Sequence, residues 1–197
     1  MPKISSYTTT APASGDLLIG SDLNATPAKS TKNFTVGSIL ALGTPITQVL
    51  NSSNVLDQVN SSGTVVNIVF GSATSNTNIS LAANGEITFL TAANYLIETT
   101  LNVGQVTGSG LTQVNSVSYG SFLNGTQFNE TKVYSFDVAA NVTNFFNTKT
   151  DSFILQVSVN DVLKFGYRAS NITAGFGNIA VSGLSSVPSS SIIISKI

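Results

Sequence analysis

The stretch Gly85–Gly104, GEITFLTAANYLIETTLNVG, decides the fold class. Ile87 and Phe89 alternate with Glu86 and Thr88. Beyond a short polar corner, Tyr95, Ile97, Thr99, Leu101 and Val103 alternate with Leu96, Glu98, Thr100 and Asn102. A period of two belongs to a sheet strand, whose successive side chains project to opposite faces; a helix would not sort these residues so cleanly. The stretch reads as two β-strands with a corner at Ala93-Asn94-Tyr95, where Asn94 is of a type that tolerates left-handed backbone.

Similar runs lie on both sides. Between Pro45 and Pro188 there is no proline, which leaves sheet ladders uninterrupted. Strands are expected at Thr64–Phe70, Ile79–Leu81, Gln113–Tyr119 and Lys132–Val138. Phe153–Asn160 follows, with Phe153, Leu155, Val157 and Val159 on one face, and then Val162–Tyr167, Ile172–Val181 and Ser191–Ile197. Gly, Asn and Ser punctuate these runs at the spacing of a β-sandwich or jelly roll. The terminal SIIISKI is apolar enough that a free edge would invite aggregation, so it is expected inside a sheet.

The composition narrows the function classes. Of the 197 residues only 9% are charged, against roughly 25% in an average soluble domain. Ser, Thr and Asn must then make the surface, which suits a chain that lives in an assembly. A net charge of -1 and eight scattered basic residues give no footprint for nucleic acid or an anionic membrane. With no Cys and no His, disulfides, thiol nucleophiles, imidazole bases and the usual zinc or copper sites are excluded together. The opening MPKISSYTTTAPASGD lacks the apolar core of a signal peptide, so synthesis in a cytoplasm without ordinary export is expected.

Residues 1–45 differ from the rest. Four of the five prolines, Pro2, Pro12, Pro27 and Pro45, lie there and favour an extended arm or a small loop-rich unit. Two apolar runs interrupt it: Asp16–Gly20, with Leu17, Leu18 and Ile19, and Phe34–Leu40, with Phe34, Val36, Ile39 and Leu40. Thr35 is placed to cap one or two helical turns. These seven apolar residues are the candidate anchor. The expected division is an arm over 1–45, a linker over 46–56 and a β-domain over 57–197.

Two resemblances extend this reading. Lys3-Ile4-Ser5, the Gly-Asp-Leu-Leu-type run and the Thr-Lys-Asn-Phe-Thr-Val stretch resemble, across about residues 3–42, a module at the start of bacteriophage fibre and decoration proteins. That module attaches the downstream domain to the particle. The central corner, FILQVSVNDVLKFGY and the terminal strand resemble, across about residues 55–197, the C1q/TNF-like jelly roll. That resemblance implies an all-β sandwich, a C-terminal strand in the inner sheet, and three copies around a threefold axis.

Catalytic chemistry finds little support. Asp137, Asp151 and Asp161 read as strand-end or turn residues, and Glu86 and Glu98 as solvated residues on neighbouring strands rather than a glycosidase pair. Loop carboxylates would suit calcium, but no EF-hand spacing is present; no catalytic residue, cofactor or metal is expected. Gly104–Gly110 and Ala174–Gly177 lack the Lys and helix of a phosphate cradle and read as turns. Eleven Phe and five Tyr exceed what one small sandwich is expected to hide, leaving an apolar seam. Tyr95, Tyr119, Phe122, Phe165 and Tyr167 are the candidate trimer interface. The sequence thus points to a structural virion protein of a tailed phage: a homotrimeric head fibre or capsid decoration at the virion surface, docked on capsid or other virion proteins through its arm. The alternative is a tail-fibre tip or adhesin recognising host surface glycan. No nucleic acid and no membrane is expected as a partner.

Overall fold

The computed structural model describes residues 17–22, 30–35, 46–60, 63–107, 113–139, 142, 145–180 and 184–197. Its backbone divides into two compact units, Met1–Pro45 and Ile46–Ile197. In the first, β1 (Leu17–Asp22) and β2 (Ser30–Thr35) form an antiparallel two-stranded sheet in which Leu17 faces Thr35 and Leu18 faces Phe34. Thr35, expected as a helix cap, ends β2 instead. Of the candidate anchor residues, Leu17, Leu18, Ile19 and Phe34 fall on these strands, while Val36, Ile39 and Leu40 lie outside the described residues.

The second unit is an all-β jelly-roll sandwich. Its strands are β3 (Thr47–Asn54), β4 (Gln58–Val59), β5 (Val66–Asn67), β6 (Thr74–Ser75), β7 (Ile79–Leu81), β8 (Ile87–Phe89) and β9 (Ala93–Gln105). After them come β10 (Gln113–Leu123), β11 (Thr126–Gln127), β12 (Lys132–Val138), β13 (Phe145–Val157), β14 (Val162–Ala169), β15 (Ala174–Phe176) and β16 (Ser190–Lys196). One sheet runs β3-β16-β9-β15-β4, with β13 on the far side of β9. The other runs β11-β10-β14-β8-β7-β6, with β12 also on β10 and β5 on β14. The strand β9 organises the first sheet. It pairs with β13 along its whole length on one side, and on the other with β16 from Tyr95 to Leu101 and with β15 from Val103 to Gln105. The terminal strand β16 lies between β3 and β9, inside the sheet as its apolar sequence requires.

The alternation in β9 is the burial pattern: Tyr95, Ile97, Thr99, Leu101 and Val103 are buried between the sheets, and Glu98 is exposed. The corner itself lies earlier than expected, at residues 90–92, and Asn94 is already in β9. The Leu90 amide donates to the Asn78 carbonyl and the Tyr95 hydroxyl to the Thr91 carbonyl, so hydrogen bonds rather than a left-handed residue make the bend. Left-handed non-glycine backbone occurs instead at Asn124 and Asn160.

Other expectations also shift. The expected linker, 46–56, contains β3, which pairs with the terminal strand. Only Val66–Asn67 of Thr64–Phe70 joins a ladder. Beyond it the Ile68 amide reaches the Phe165 carbonyl, and the Val69 amide and carbonyl are held by the Gln58 side-chain amide at 2.7 and 3.1 Å. Side chains thus satisfy a backbone that would otherwise be buried unpaired. The run expected over Phe153–Asn160 begins at Phe145 and ends at Val157, leaving Val159 exposed in a turn. Ala174–Gly177 is not a turn: its first three residues are β15, buried between β9 and β4. The run expected over Ile172–Val181 contracts to these three residues.

Most of the aromatic surplus is absorbed. Phe70 meets Phe165 edge-on at 5.3 Å, Phe89 meets Tyr95 at 4.8 Å, and Phe176 meets Tyr167 at 4.8 Å. Tyr95, Tyr119, Phe165 and Tyr167, expected at a trimer seam, are therefore buried in the core of the single chain, and Phe122 is half-buried. Their alternation was that of a strand face, and a face covered by the opposite sheet looks the same in sequence as one covered by a partner.

Candidate functional site

Residues directly opposite each other in an antiparallel pair share a face, so the registers assign each side chain to the core or to solvent. On the six-stranded sheet the outward positions are Asn51 and Ser53 of β3, Leu96, Glu98 and Thr100 of β9, Thr148, Thr150, Ser152 and Ile154 of β13, and Ser191 and Ile193 of β16. Among these, Glu98 alone is charged. The outward side of the eight-stranded sheet carries Asp137, Lys164 and Arg168 in the same way. The two faces of the sandwich therefore differ in kind: one is neutral and rich in Thr and Ser with Leu96, Ile154 and Ile193, the other is charged.

Toward Phe146 the neutral face has a glycine floor. An added Cβ at Gly177 would overlap the Phe146 ring, and one at Gly104 would overlap the Phe145 carbonyl. Gly177 lets the Phe146 ring lie close against the sheet, and Gly104 lets the backbone of β13 approach β9. Beside them, Asn102 is almost fully buried, its amide donating to the Pro188 carbonyl at 2.7 Å and its carbonyl oxygen accepting from Thr148 Oγ1 at 2.7 Å.

A second feature lies between the sheets, where β10 and β12 face β13. Lys132, Tyr134, Lys149 and Asp151 all occupy core-facing positions there, because Lys132 pairs with Tyr119, Tyr134 with Val117, and Asp151 with Thr99. The Tyr119 hydroxyl donates to Asp151 Oδ2 at 2.7 Å, Lys132 Nζ forms an ion pair with Asp151 Oδ1, and Lys149 Nζ lies 4.7 Å from the centre of the Tyr134 ring. Tyr119, Lys132 and Asp151 line a cleft of about 290 Å³ together with Ser121, Asn129, Glu130 and Phe153. Asp137 lies at the end of β12, as expected, but Asp151 is not a strand-end or turn residue: it lies in the middle of β13. Asp161 is a turn residue, accepting from the Ser158 amide and the Asn124 side chain at 2.8 Å each. Those two hydrogen bonds hold its carboxyl below the usual aspartate range. Glu86 and Glu98 are not on neighbouring strands: Glu86 precedes β8 of one sheet, and Glu98 lies on β9 of the other.

Ionisation of the buried tyrosines gives one measurable consequence. Burial, and then hydrogen bonds to Tyr134 and Asp151, raise Tyr119 well above the ordinary value near 10, and burial pushes Tyr167 up to about 12. The folded chain holds these protons more tightly than the unfolded chain. Their contribution is complete below pH 10 and is lost as pH rises through the folded values. Urea midpoints should therefore be flat across neutral pH and fall from about pH 10 to 12, and Tyr167→Phe should flatten that fall. An unchanged slope in the variant would show that Tyr167 does not govern it.

Among the described residues, no group of three His, Cys, Asp or Glu is arranged to hold a metal ion, and no helix is long and apolar enough to cross a membrane. No family model matches the chain, and no curated protein matches it. Among solved structures, the chain is similar to crystal structures of murine APRIL at pH 8.5, 8.0 and 5.0. The identities are 16%, 14% and 14% and the TM-scores 0.44, 0.43 and 0.42; each match covers 76% of this chain and 98% of that one.

Proposed function

We propose that this chain is a non-enzymatic structural protein of a virion surface, made in the host cytoplasm, whose β-sandwich self-associates as a trimer and whose N-terminal unit fixes it to capsid or other virion proteins. The observation that carries the trimer is the outward side of the six-stranded sheet, where Glu98 is the one charge among the outward positions named above. Desolvating charged groups is a main cost of association, and a Thr- and Ser-rich face with three aliphatic side chains avoids most of it. A lasting contact needs more than about 1,000 Å² of buried surface, an extent that the long strands β9 and β13 can supply. The particle and the role of residues 1–45 rest on the sequence resemblance of residues 3–42 to phage fibre and decoration modules.

Sedimentation equilibrium of the full chain at micromolar concentration should give three chains. Ile154→Asp combined with Ile193→Asp should give monomers with an unchanged far-ultraviolet spectrum. A wild-type monomer, or a trimer that survives both aspartates, would overturn the assignment of this face. Removing residues 1–45 should abolish incorporation into particles, and high salt should not strip the intact protein, because its anchor is apolar.

A further inference from the structure

The group Tyr119, Lys132 and Asp151 is hard to explain as scaffold. In a chain with 9% charged residues, a lysine and an aspartate take core-facing positions where Leu or Val would serve. The pair is only partly buried, with the Lys132 side chain 44% and that of Asp151 20% exposed, and ion pairs open to solvent add little stability, so its place beside an open cleft points to a use other than stability.

We propose that this cleft binds a neutral saccharide ring. The volume, about 290 Å³, lies at the lower end of ligand sites, about 300–1,000 Å³, and suits one sugar unit rather than a nucleotide or a lipid. The charges of Lys132 and Asp151 offset each other and Glu130 adds a negative charge to the lining, which disfavours an anion. What remains is an interleaved set of donors and acceptors: the Lys132 ammonium, the Asp151 carboxylate, and the hydroxyl and amide of Ser121 and Asn129. A sugar hydroxyl both donates and accepts, so it is satisfied by such neighbours in pairs. The apolar wall is Phe153, half-buried and fixed edge-on against Phe128 at 5.7 Å, with Phe165 behind it at 6.3 Å. A pyranose presents a C–H face to a wall of that kind while its hydroxyls meet the polar side. The Tyr119 hydroxyl, 2.7 Å from Asp151 Oδ2, is a positioning group that holds the carboxylate in place.

This inference stands on the cleft alone and is independent of the trimer and of the particle. Glucose, galactose, mannose and N-acetylglucosamine, each at millimolar concentration, would be screened against the full chain by saturation-transfer NMR. Any that bind would then be titrated while backbone amides are followed. At least one should bind, with shifts confined to residues 119–121, 129–132 and 151–153. Asp151→Asn keeps the shape of the side chain, and Lys132→Met alters a half-exposed one; each should weaken binding about tenfold or more, the effect of losing a charged hydrogen bond, while the thermal midpoint holds. Should Asp151→Asn fail to fold, Lys132→Met decides alone. No transfer to any of the four sugars, shifts elsewhere, or unchanged affinity in the folded variants would overturn the proposal. A monomeric protein that binds sugar would leave it intact.

Discussion

Gly85→Ala should lower the thermal midpoint by roughly 5–15 °C. Gly85 sits at φ +84° in the turn joining β7 to β8, and its amide donates to the Ala82 carbonyl at 3.0 Å. A side chain there is strained by the left-handed backbone, and its Cβ would also overlap the Ile68 carbonyl oxygen. Strain contributes about 1–3 kcal/mol and forced displacement in a packed region about 1–3 kcal/mol more. Gly125 separates the two causes. It has φ +81° but open space where a Cβ would go, so Gly125→Ala should show the conformational part alone, about 1–2 kcal/mol. Equal losses at the two positions would show that the Ile68 carbonyl yields freely and that close approach is not what requires Gly85.

Phe176→Ala should destabilise the sandwich by about 3–5 kcal/mol, read as a lower urea midpoint at pH 7. Phe176 is fully buried in β15 and touches rings from the other sheet, Tyr167 at 4.8 Å and Tyr119 at 6.3 Å. Its removal leaves a cavity bounded by tyrosines whose hydroxyl ends are already committed, at Tyr119 to Asp151, so collapse into the space is restricted. Phe122→Ala is the comparison: its half-buried ring on β10 should cost clearly less. A loss below about 1 kcal/mol at Phe176 would mean that the two sheets close over the gap.

The strand order was legible where alternation was strict. In β9, β12 and β16, one apolar face per strand met the opposite sheet, and the expected bounds hold within a residue or two for β12 and β16. It was not legible where backbone polar groups are satisfied by side chains. The segment 68–70 reads as strand, yet Gln58, distant in sequence, holds Val69. The start of β13 was missed because Asn147, Thr148, Lys149 and Thr150 interrupt the apolar pattern, and that same interruption puts Lys149 and Asp151 on the core-facing side of the strand. The cleft could have been suspected from Asp151 alone, a carboxylate in phase with Phe153, Leu155 and Val157. Reading it as a turn residue discarded that phase. The aromatic seam failed for a related reason, since sequence gives the number of rings but not the capacity of a core built from two long sheets.

The strand β13 has thirteen residues and, among the described residues, pairs only with β9, so one full row of its amides and carbonyls is unclaimed. Such an edge invites runaway polymerisation, chain upon chain, into a fibril. Lys149 and Asp151 oppose that growth because they point inward and are tied to Tyr134, Tyr119 and Lys132 on the other sheet. A newcomer that flattened or drew out β13 to extend the ladder would pull both charges from their partners. Pairing along this edge is therefore disfavoured relative to contacts made face to face, which can close on themselves and end at a fixed number of subunits.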